Sequence, residues 1–561
     1  MQPSKADILK SAMTTFVNQW LELDQPTMDG GEWSHDRIGV VFFDSVIAPQ
    51  TLPGADPPAN FFVQRGVPGP PPWNAVISSI NSLTPGGSTS IGGGINEGMK
   101  QWKLDPAHDL SVMLVTDGMQ NTAPLIEPAP SGFLGLLPVS GFPQELRKRA
   151  VPIQTIGFGQ PAAVDETLLK NISLETAGVS YEPISAVTMF DALGMTLVAL
   201  LKGNTASMAF VHHDTMTGGG PSAPQPVIVD TSAQRMVVTV QWAPPLREAL
   251  DLAVFRPDGS AAAPDSSRKT AQSSIRTFNV RPSEAGTWSV RVTRGANKDV
   301  KSVPYTLNAL FLERRLDYRI SIDPARARTG DTLKLRAVVA WDGKPLSGLP
   351  AGALRVRIQR PPESLGTILH GAAFKDRSNA TTTTPAGDKL TPYDRKLAAV
   401  TREDGLLKRI TPVDFATIEL KDRGRGVYEG TFDQTSIAGT YAFETMLDWD
   451  ERRTGHVRRV ERLEQLVRVK TDPATTDVKV TRVDTRTATI AVTPRDKAGN
   501  FLGPGYASLV QAKLRGEGRL TGPIDRDQSG SYVFTAAGLP NNQAPDVTIT
   551  VDGAEVSSRK Q

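Results

Sequence analysis

Two short stretches decide the fold of the first part of the chain: GGSTSIGGGI at residues 86–95 and VMLVTDG at residues 112–118. The first places Thr89 in a Gly-rich turn ahead of a helix, and the second places Asp117 directly after an apolar strand. Binding sites of open parallel sheets lie at the carboxyl ends of the strands. Hydroxyl and carboxylate oxygens are ligands for Mg²⁺, Ca²⁺ and Mn²⁺. We therefore predict a cation site built from Thr89 and Asp117, with Ser88 in place of Thr89 if the turn is shifted by one residue.

Around these stretches, residues 1–203 alternate helical and strand patterns. Ile8, Ala12, Phe16 and Trp20 recur at helical spacing and predict the first helix, over 5–22. Continuous apolar runs are typical of strands that are buried on both faces. The remaining elements predicted in this way are strands at 38–43, 110–115 and 151–158 and helices at 74–83, 94–102, 165–177 and 186–202. This alternation predicts an α/β fold with a doubly wound, mostly parallel sheet.

After residue 204 the pattern changes to short alternating runs separated by turn residues, which is typical of antiparallel sandwiches. The predicted strands lie at 236–242, 288–293, 318–322, 333–340, 354–358, 488–493 and 547–551. We interpret the chain as an α/β domain at 1–203 followed by three all-β, immunoglobulin-like sandwiches. Their predicted bounds are 204–312, 313–471, with an exposed insertion at about 362–412, and 472–561.

A weak internal repeat supports the sandwich interpretation. Glycine, a small or branched residue and an aromatic residue recur in this order, with the glycines at Gly286, Gly426, Gly439 and Gly530. Glycine permits a tight corner ahead of a strand, and the aromatic ring then fills the space between two sheets. We expect all four aromatic residues to be buried.

Composition excludes several classes of protein. The chain has 561 residues and no Cys, so disulfides, thiolate metal sites and a Cys nucleophile are excluded. Its net charge of +3 gives no reason to expect nucleic acid as a partner. The charge is uneven, with −8 on residues 1–203 and +11 on the remainder, and an acidic first part suits a cation. No apolar run reaches the length of a membrane span, and the first ten residues do not read as a signal peptide.

Residues 1–203 resemble a von Willebrand factor type A domain. The landmarks of that family occur in order: the amphipathic helix, then DRIGVVFF at 36–43, the two stretches quoted above, VPIQTIGFG at 151–159 and TAGVSY at 176–181. The resemblance implies a metal-ion-dependent adhesion site, in which Thr89 matches the second ligand loop and Asp117 the third. It also implies Mg²⁺ or Ca²⁺, or Mn²⁺, as the cation, a protein ligand that offers an acidic residue, and an extracellular or periplasmic location.

The sequence departs from the family at the first ligand loop. No D-x-S-x-S precedes the first helix, and the chain begins with MQPSK at the register where this motif would end. We expect that the sequence starts inside its domain, at an internal Met, and lacks the first core strand together with the ligands of that loop. A cation would then be bound weakly or not at all.

Simpler explanations exist for both site residues. Thr89 would also serve as a cap of the helix that begins near Ile91, and Asp117 with Gly118 would also form a plain turn. No H-E-x-x-H, G-x-S-x-G or G-x-x-x-x-G-K-[ST] motif occurs, so we predict that the protein is not an enzyme. Our first hypothesis is protein binding of the adhesion type, and the second is a structural or assembly role without metal. The third is an accessory subunit of a metal-inserting or ATP-driven complex.

Three further segments carry expectations. We expect the apolar insertion at 124–143 to pack on a neighbouring domain or to border the ligand face. We expect His212 and His213 to point to opposite faces of a strand, which disfavours a shared metal ion. We expect the Arg-rich stretch at 452–470 to form strands with a solvated polar face, and not a nucleic-acid site.

Overall fold

In the computed structural model the described residues are mostly β, with 50% of them in strands and 18% in helices. The structure describes residues 4–23, 37–44, 46–50, 52, 63–64, 73–84, 86, 89–102, 111–118, 127–128, 136–137, 151–158, 164, 166–176, 178–182, 186–201, 206–297, 302–313, 315–324, 326–371, 404–451, 455–525, 529–541 and 544–556. Its helices are α1 (Lys5–Leu23), α2 (Trp73–Ser82), α3 (Ile91–Trp102), α4 (Glu166–Glu175), α5 (Ala186–Leu200), α6 (Leu365–His370) and α7 (Asp404–Ile410). No helix in the described ranges combines the length and hydropathy that a membrane crossing requires.

The described residues of the first part of the chain contain α1–α5 and nine short strands. These are β1 (Arg37–Ile38), β2 (Val41–Phe43), β3 (Ile47–Pro49), β4 (Val63–Gln64), β5 (Val112–Thr116), β6 (Glu127–Pro128), β7 (Leu136–Leu137), β8 (Ile153–Gly157) and β9 (Ser180–Tyr181). Strands β5, β8 and β9 form a parallel sheet in that order. The other described strands form antiparallel pairs, β1 with β4, β2 with β3 and β6 with β7. Among the described residues a helix follows β8 and another follows β9, as expected, but β6 and β7 are the elements between β5 and β8, and the described strands do not join into one sheet.

The strand predicted at 38–43 differs from the expectation. It is divided into β1 and β2, and residues 37–43 are half-buried instead of buried. By contrast, all five residues of β8, which has a strand on either side, are buried. In the described part of the chain β2 pairs only with β3, so it lacks the second neighbour that would cover it.

Helix α1 confirms the predicted amphipathic pattern, and it packs in an unexpected place. Its buried residues Ala12 and Phe16 join a core that also contains Val237 and Leu310 of the first sandwich. Gln19 Nε2 donates hydrogen bonds to Thr239 Oγ1 at 3.0 Å and to an asparagine of the same sheet at 3.1 Å. The helix therefore joins the α/β part to the sheet that follows it in sequence.

The first sandwich has eight strands. They are β10 (Ala206–Met216), β11 (Gln225–Val229), β12 (Ala233–Trp242), β13 (Leu250–Phe255), β14 (Ser266–Lys269), β15 (Ser273–Asn279), β16 (Gly286–Arg294) and β17 (Val303–Glu313). A five-stranded sheet in the order β10-β17-β12-β15-β14 faces a three-stranded sheet in the order β11-β16-β13. Strand β12 is buried along nearly its whole length, and not only at alternate residues, because α1 and α5 cover the outer face of its sheet.

The second sandwich is built from strands β18–β27. They are β18 (Leu316–Asp323), β19 (Ala327–Arg328), β20 (Leu333–Trp341), β21 (Lys344–Pro345), β22 (Leu354–Arg360), β23 (Val413–Glu419), β24 (Lys421–Gly424), β25 (Val427–Phe432), β26 (Gly439–Glu451) and β27 (Gly455–Arg468). One sheet has the order β18-β20-β25-β24, with β21 on β20, and the other has the order β19-β27-β26-β22-β23.

The third sandwich is the smallest. Its strands are β28 (Asp477–Arg482), β29 (Thr487–Thr493), β30 (Val510–Arg515), β31 (Arg519–Ile524), β32 (Tyr532–Ala537), β33 (Asp546–Val551) and β34 (Ala554–Glu555). They form the sheets β28-β29-β32-β31 and β30-β33-β34. Every strand predicted after residue 204 overlaps an observed strand. The domain bounds given above stay a prediction.

The glycine-aromatic repeat behaves as predicted. Its four glycines have φ values of 143°, 71°, 147° and 80°, which side chains disfavour. The aromatic residues that follow, Trp288, Tyr428, Tyr441 and Tyr532, are all buried. The Trp288 indole and the Tyr441 hydroxyl each donate a hydrogen bond of 2.9 Å to a carbonyl oxygen four residues upstream. The repeat therefore marks a recurring corner of the sandwiches.

The prediction of a solvated face for the Arg-rich stretch is wrong for two of its arginines. Arg459 is 1% exposed and lies between the carboxylates of Asp230 and Glu313 of the first sandwich. Arg462 is 12% exposed and lies 3.8 Å from Asp191 of α5. Each cation pairs with carboxylates of other domains, so β27 forms the junction between them.

The prediction of an exposed insertion is also wrong at its ends. Leu365, Ile368 and Leu369 of α6 and Ile410 of α7 are buried. Helix α6 contacts the third sandwich, where the His370 ring stacks on Phe501 with 3.9 Å between centroids. The middle of this insertion, residues 372–403, lies outside the described residues, as does most of the insertion at 124–143.

Candidate functional site

The site begins at the first turn of α1. Ser4 precedes the helix, and its Oγ accepts a hydrogen bond of 3.1 Å from the backbone N of Asp7. In return the backbone N of Ser4 donates to Asp7 Oδ2 at 3.1 Å. This reciprocal capping stabilises the helix start and makes Lys5 the first helical residue. The sequence signal was present, since Ser4 and Asp7 have the spacing of a capping pair, but the sequence reasoning overlooked it.

Asp117 lies where β5 ends, as predicted. Thr116, the last residue of the strand, accepts a hydrogen bond of 2.8 Å on its carbonyl oxygen from the backbone N of Phe158, beyond the end of β8. The backbone N of Gly118 donates to Thr116 Oγ1 at 3.3 Å and closes a turn. Within this turn the Asp117 side chain is 61% exposed. Its carboxylate is therefore available at the carboxyl edge of the parallel sheet.

Thr89 reaches the same edge from the neighbouring loop. A Cβ built on Gly118 would lie 2.7 Å from Thr89 Oγ1, so the hydroxyl packs directly against the turn that carries Asp117. Only glycine leaves room for this approach. The structure thus brings together the loops of Thr89 and Asp117, while Ser88 lies outside the described residues.

The proposed capping role of Thr89 does not fit the start of α3. The carbonyl oxygen of Ser90 accepts the first helical hydrogen bond, from the backbone N of Gly94 at 3.0 Å. Ser90 therefore occupies the capping position, and Thr89 precedes it. The Thr89 hydroxyl faces Gly118 instead.

Lys5 is the third member of the site. Its Nζ lies 3.8 Å from Asp117 Oδ2 and donates a hydrogen bond of 3.5 Å to the carbonyl oxygen of Asp117. Both side chains are about half-exposed, so this pair contributes at most about 1 kcal/mol to stability. The pair matters more for charge than for stability. The Lys5 ammonium group already neutralises the Asp117 carboxylate, which was expected to bind a cation.

The described residues do not fit a tight divalent-cation site. Thr89 and Asp117 offer one hydroxyl and one carboxylate, whereas Ca²⁺ takes about six to eight oxygen ligands. Within the described ranges no group of three or more His, Asp or Glu side chains is placed to hold a metal. The arrangement presents a hydroxyl, a carboxylate and an ammonium group on one exposed edge, which suits polar contacts to a partner.

The His212–His213 pair has neighbours that explain it without a metal. His213 Nε2 lies 3.0 Å from Asp191 Oδ1, whereas the His212 ring stacks on Phe210 with 6.0 Å between centroids. Burial lowers the pKa of His212 below its usual value, against the opposing effect of Asp214. The two rings contact different parts of the structure.

Comparisons with known proteins give only distant likenesses. No protein-family model and no curated protein matches the chain. Among solved structures, a von Willebrand factor type A protein from Catenulispora acidiphila is 11% identical over 60% of this chain and 60% of its own, with a TM-score of 0.24. A mussel byssus protein, proximal thread matrix protein 1 with a zinc-occupied MIDAS motif, is 16% identical over 38% and 45%, with a TM-score of 0.23. The Escherichia coli adhesin FdeC is 12% identical over 62% and 96%, with a TM-score of 0.25.

Proposed function

We propose that the protein is a non-enzymatic, protein-binding molecule of the adhesion type, and that its binding face is the edge formed by Lys5, Thr89 and Asp117. The observation that carries the proposal is the contact of Thr89 Oγ1 with the turn of Asp117, beside the first turn of α1. In the same proposal, residues 1–203 are a von Willebrand A-like domain of the doubly wound type. The order of the sequence landmarks and the parallel sheet β5-β8-β9 support this part.

The chemistry of the edge favours an acidic partner residue. The amino end of α1 carries a partial positive charge, which the Asp7 carboxylate in the first turn offsets, and Lys5 adds a full positive charge at the same place. A carboxylate of the partner would displace Asp117 from Lys5 at little cost, because exposed ion pairs are weak. Thr89 would then offer a hydroxyl beside the bound carboxylate.

A divalent cation is a separate part of the proposal. Since the described side chains supply too few oxygen ligands, we expect Mg²⁺, Ca²⁺ and Mn²⁺ to bind weakly, if they bind at all. Calorimetric titration of the full chain with each metal measures this, with Asp117→Ala as the test variant. Asp414→Ala is the matched control, because Asp414 is 64% exposed and lies 3.6 Å from Arg357.

Peptide binding tests the function itself. Two fluorescent peptide libraries are compared, one with a single Asp or Glu per peptide and one with Asn or Gln at that position. We expect the full chain to prefer the acidic library, and Lys5→Met to abolish the preference. Lys100→Met is the control, since Lys100 is 63% exposed and pairs with Glu97 at 2.8 Å on α3. Equal binding of both libraries by the unmodified chain, or an unchanged preference in Lys5→Met, would refute the proposal.

A metal-independent structural or assembly role is the second candidate. The buried pairing of Arg459 with carboxylates of another sandwich favours it, because such contacts fix the domains relative to each other. This role predicts no preference for acidic peptides, so the same comparison separates the two candidates.

A further inference from the structure

A cleft of about 870 Å³, a volume that includes space open to solvent, lies where the second sandwich meets the third sandwich and the α/β part. Much of its wall is apolar and buried, with Leu365 and Leu369 of α6, Leu466 and Val469 in and after β27, and Leu502 of the third sandwich. The residues of the proposed binding face, Lys5, Thr89 and Asp117, are not among those that line the cleft.

The walls are held in place by specific contacts. A Cβ on Gly366 would lie 2.2 Å from the carbonyl oxygen of Phe501, so the backbones of α6 and the third sandwich touch. The backbone N of Phe501 donates to Thr367 Oγ1 at 3.3 Å, and His370 Nδ1 lies 2.9 Å from the carbonyl oxygen of Ser529. These contacts fix the shape of the cleft at the domain junction.

One end of the cleft is polar. It is formed by Glu182, Thr440, Arg462, Glu464 and Arg468. Most carboxylate oxygens at this end already accept a hydrogen bond from a neighbouring residue. Glu464 Oε2 accepts from the backbone N of Glu182 at 3.0 Å, and its Oε1 accepts from Arg462 Nη2 at 3.3 Å. Glu182 Oε2 accepts from Thr440 Oγ1 at 3.0 Å.

The donors at this end are in excess. Arg462 Nε is buried and has no hydrogen-bond partner in the described part of the chain. Arg468 also lines the cleft, and among the described residues its guanidinium interacts electrostatically with Glu182 without a direct ion pair or hydrogen bond. A guanidinium group offers five donors and no acceptor, and a buried donor without a partner is costly. Asp191 Oδ2, 3.8 Å from Arg462 Nη1, also lacks a hydrogen-bond partner among the described residues, but it does not serve Arg462 Nε, which needs a further acceptor.

We propose that the cleft binds an apolar chain that ends in a carboxylate, with the carboxylate at Arg462 and Arg468 and the chain between α6 and Leu502. The carboxylate supplies acceptors to both guanidinium groups and balances the charge of Arg468. The apolar chain covers the leucine side chains of the wall. A bound molecule touches all three structural parts and so stabilises their arrangement.

Glu182 is compatible with this ligand. Burial raises the pKa of its carboxyl above the usual value and Glu464 adds to the shift, while Lys170, the hydrogen bond from Thr440 and the charge of Arg468 oppose it. A protonated Glu182 does not repel a neighbouring carboxylate and can donate a hydrogen bond to it. Binding should therefore weaken as the pH rises and Glu182 ionises.

Calorimetry of the full chain with decanoate below its micelle concentration tests the proposal. We expect decanoate to bind and decylammonium, which has the same apolar body and the opposite charge, to bind at least about tenfold more weakly. An acetylated trileucine peptide is titrated for comparison, because the carboxylate could belong to a peptide C-terminus or to a fatty acid. The ligand whose apolar part fits the cleft better, trileucine or decanoate, should bind more tightly. Failure of both carboxylates to bind at millimolar concentration would overturn the proposal.

Two variants locate the site. Arg468→Met should weaken decanoate binding by about tenfold or more, while Arg336→Met, an exposed arginine on β20, should leave it unchanged. Ala438→Leu fills part of the cleft without removing a charge and should also weaken binding. Equal affinities of decanoate and decylammonium, or full affinity in both cleft variants, would show that the ligand class or the location is wrong.

Discussion

Replacing Arg459 by Met should disrupt the junction between the first two sandwiches. The Arg459 guanidinium lies 2.7 Å from Asp230 Oδ2, and its Nε lies 3.1 Å from each carboxylate oxygen of Glu313. The side chains of all three residues are at most 1% exposed. Removing the cation leaves two buried carboxylates without a counter-charge, which costs about 3–5 kcal/mol.

Urea unfolding followed by tryptophan fluorescence measures this cost, in the first unfolding transition of the chain. Arg458→Met is the matched control, because Arg458 is the preceding residue, is 33% exposed and lies 3.8 Å from Asp448. It should cost less than about 1 kcal/mol. Combining Arg459→Met with Asp230→Asn and Glu313→Gln should restore much of the loss, because no buried charge then remains. A loss in Arg459→Met as small as that of the control, or a triple variant no more stable than the single one, would refute the reasoning.

Two further predictions concern the α/β part. Gly118→Ala places a Cβ 2.7 Å from Thr89 Oγ1 and should lower the free energy of unfolding by about 1–3 kcal/mol in thermal unfolding. Adding Thr89→Ala removes that oxygen, leaves the Thr89 Cβ at an ordinary 3.8 Å and should recover most of the loss. Additive effects of the two substitutions would contradict the contact. The pKa of the Glu182 carboxyl is raised above its ordinary value of 4.5 in the folded chain. Its protonated form therefore contributes fully to stability below pH 4.5, and this contribution is lost as the pH rises through the raised pKa. Melting temperatures across this pH range should therefore fall less in Glu182→Gln than in the unmodified chain, and parallel curves would show that Glu182 does not titrate as inferred.

The sequence predicted the local structure well where a short-range rule applies. Alternation located strands such as β20 and β29, and the glycine-aromatic repeat located corners, because a positive φ at Gly439 and a buried ring at Tyr441 are both local requirements. The position of Asp117 followed from topology, since binding sites lie at the carboxyl ends of parallel strands. Thr89 lies between α2 and α3, so its place beside Asp117 was expected only from the family resemblance.

Contacts between domains were outside the reach of such rules. Arg459, Asp230 and Glu313 are far apart in sequence, and each alone has the pattern of a solvated charge. The half-buried residues at 37–43 were misjudged because an apolar run indicates burial only if strands flank it on both sides. The pairing of Lys5 with Asp117 depends on the position of α1 relative to β5, which neither segment encodes by itself.

The most direct test of the binding face is the affinity of the acidic peptide library for Asp117→Asn, measured by fluorescence anisotropy in EDTA and again in Mg²⁺. Neutralising Asp117 frees Lys5, so the account predicts that acidic peptides bind at least as tightly as to the unmodified chain, with no dependence on Mg²⁺. A loss of binding that is confined to the Mg²⁺ condition would show that a metal ion, and not Lys5, receives the acidic residue. Unchanged affinity in both Asp117→Asn and Lys5→Met would place the binding face elsewhere.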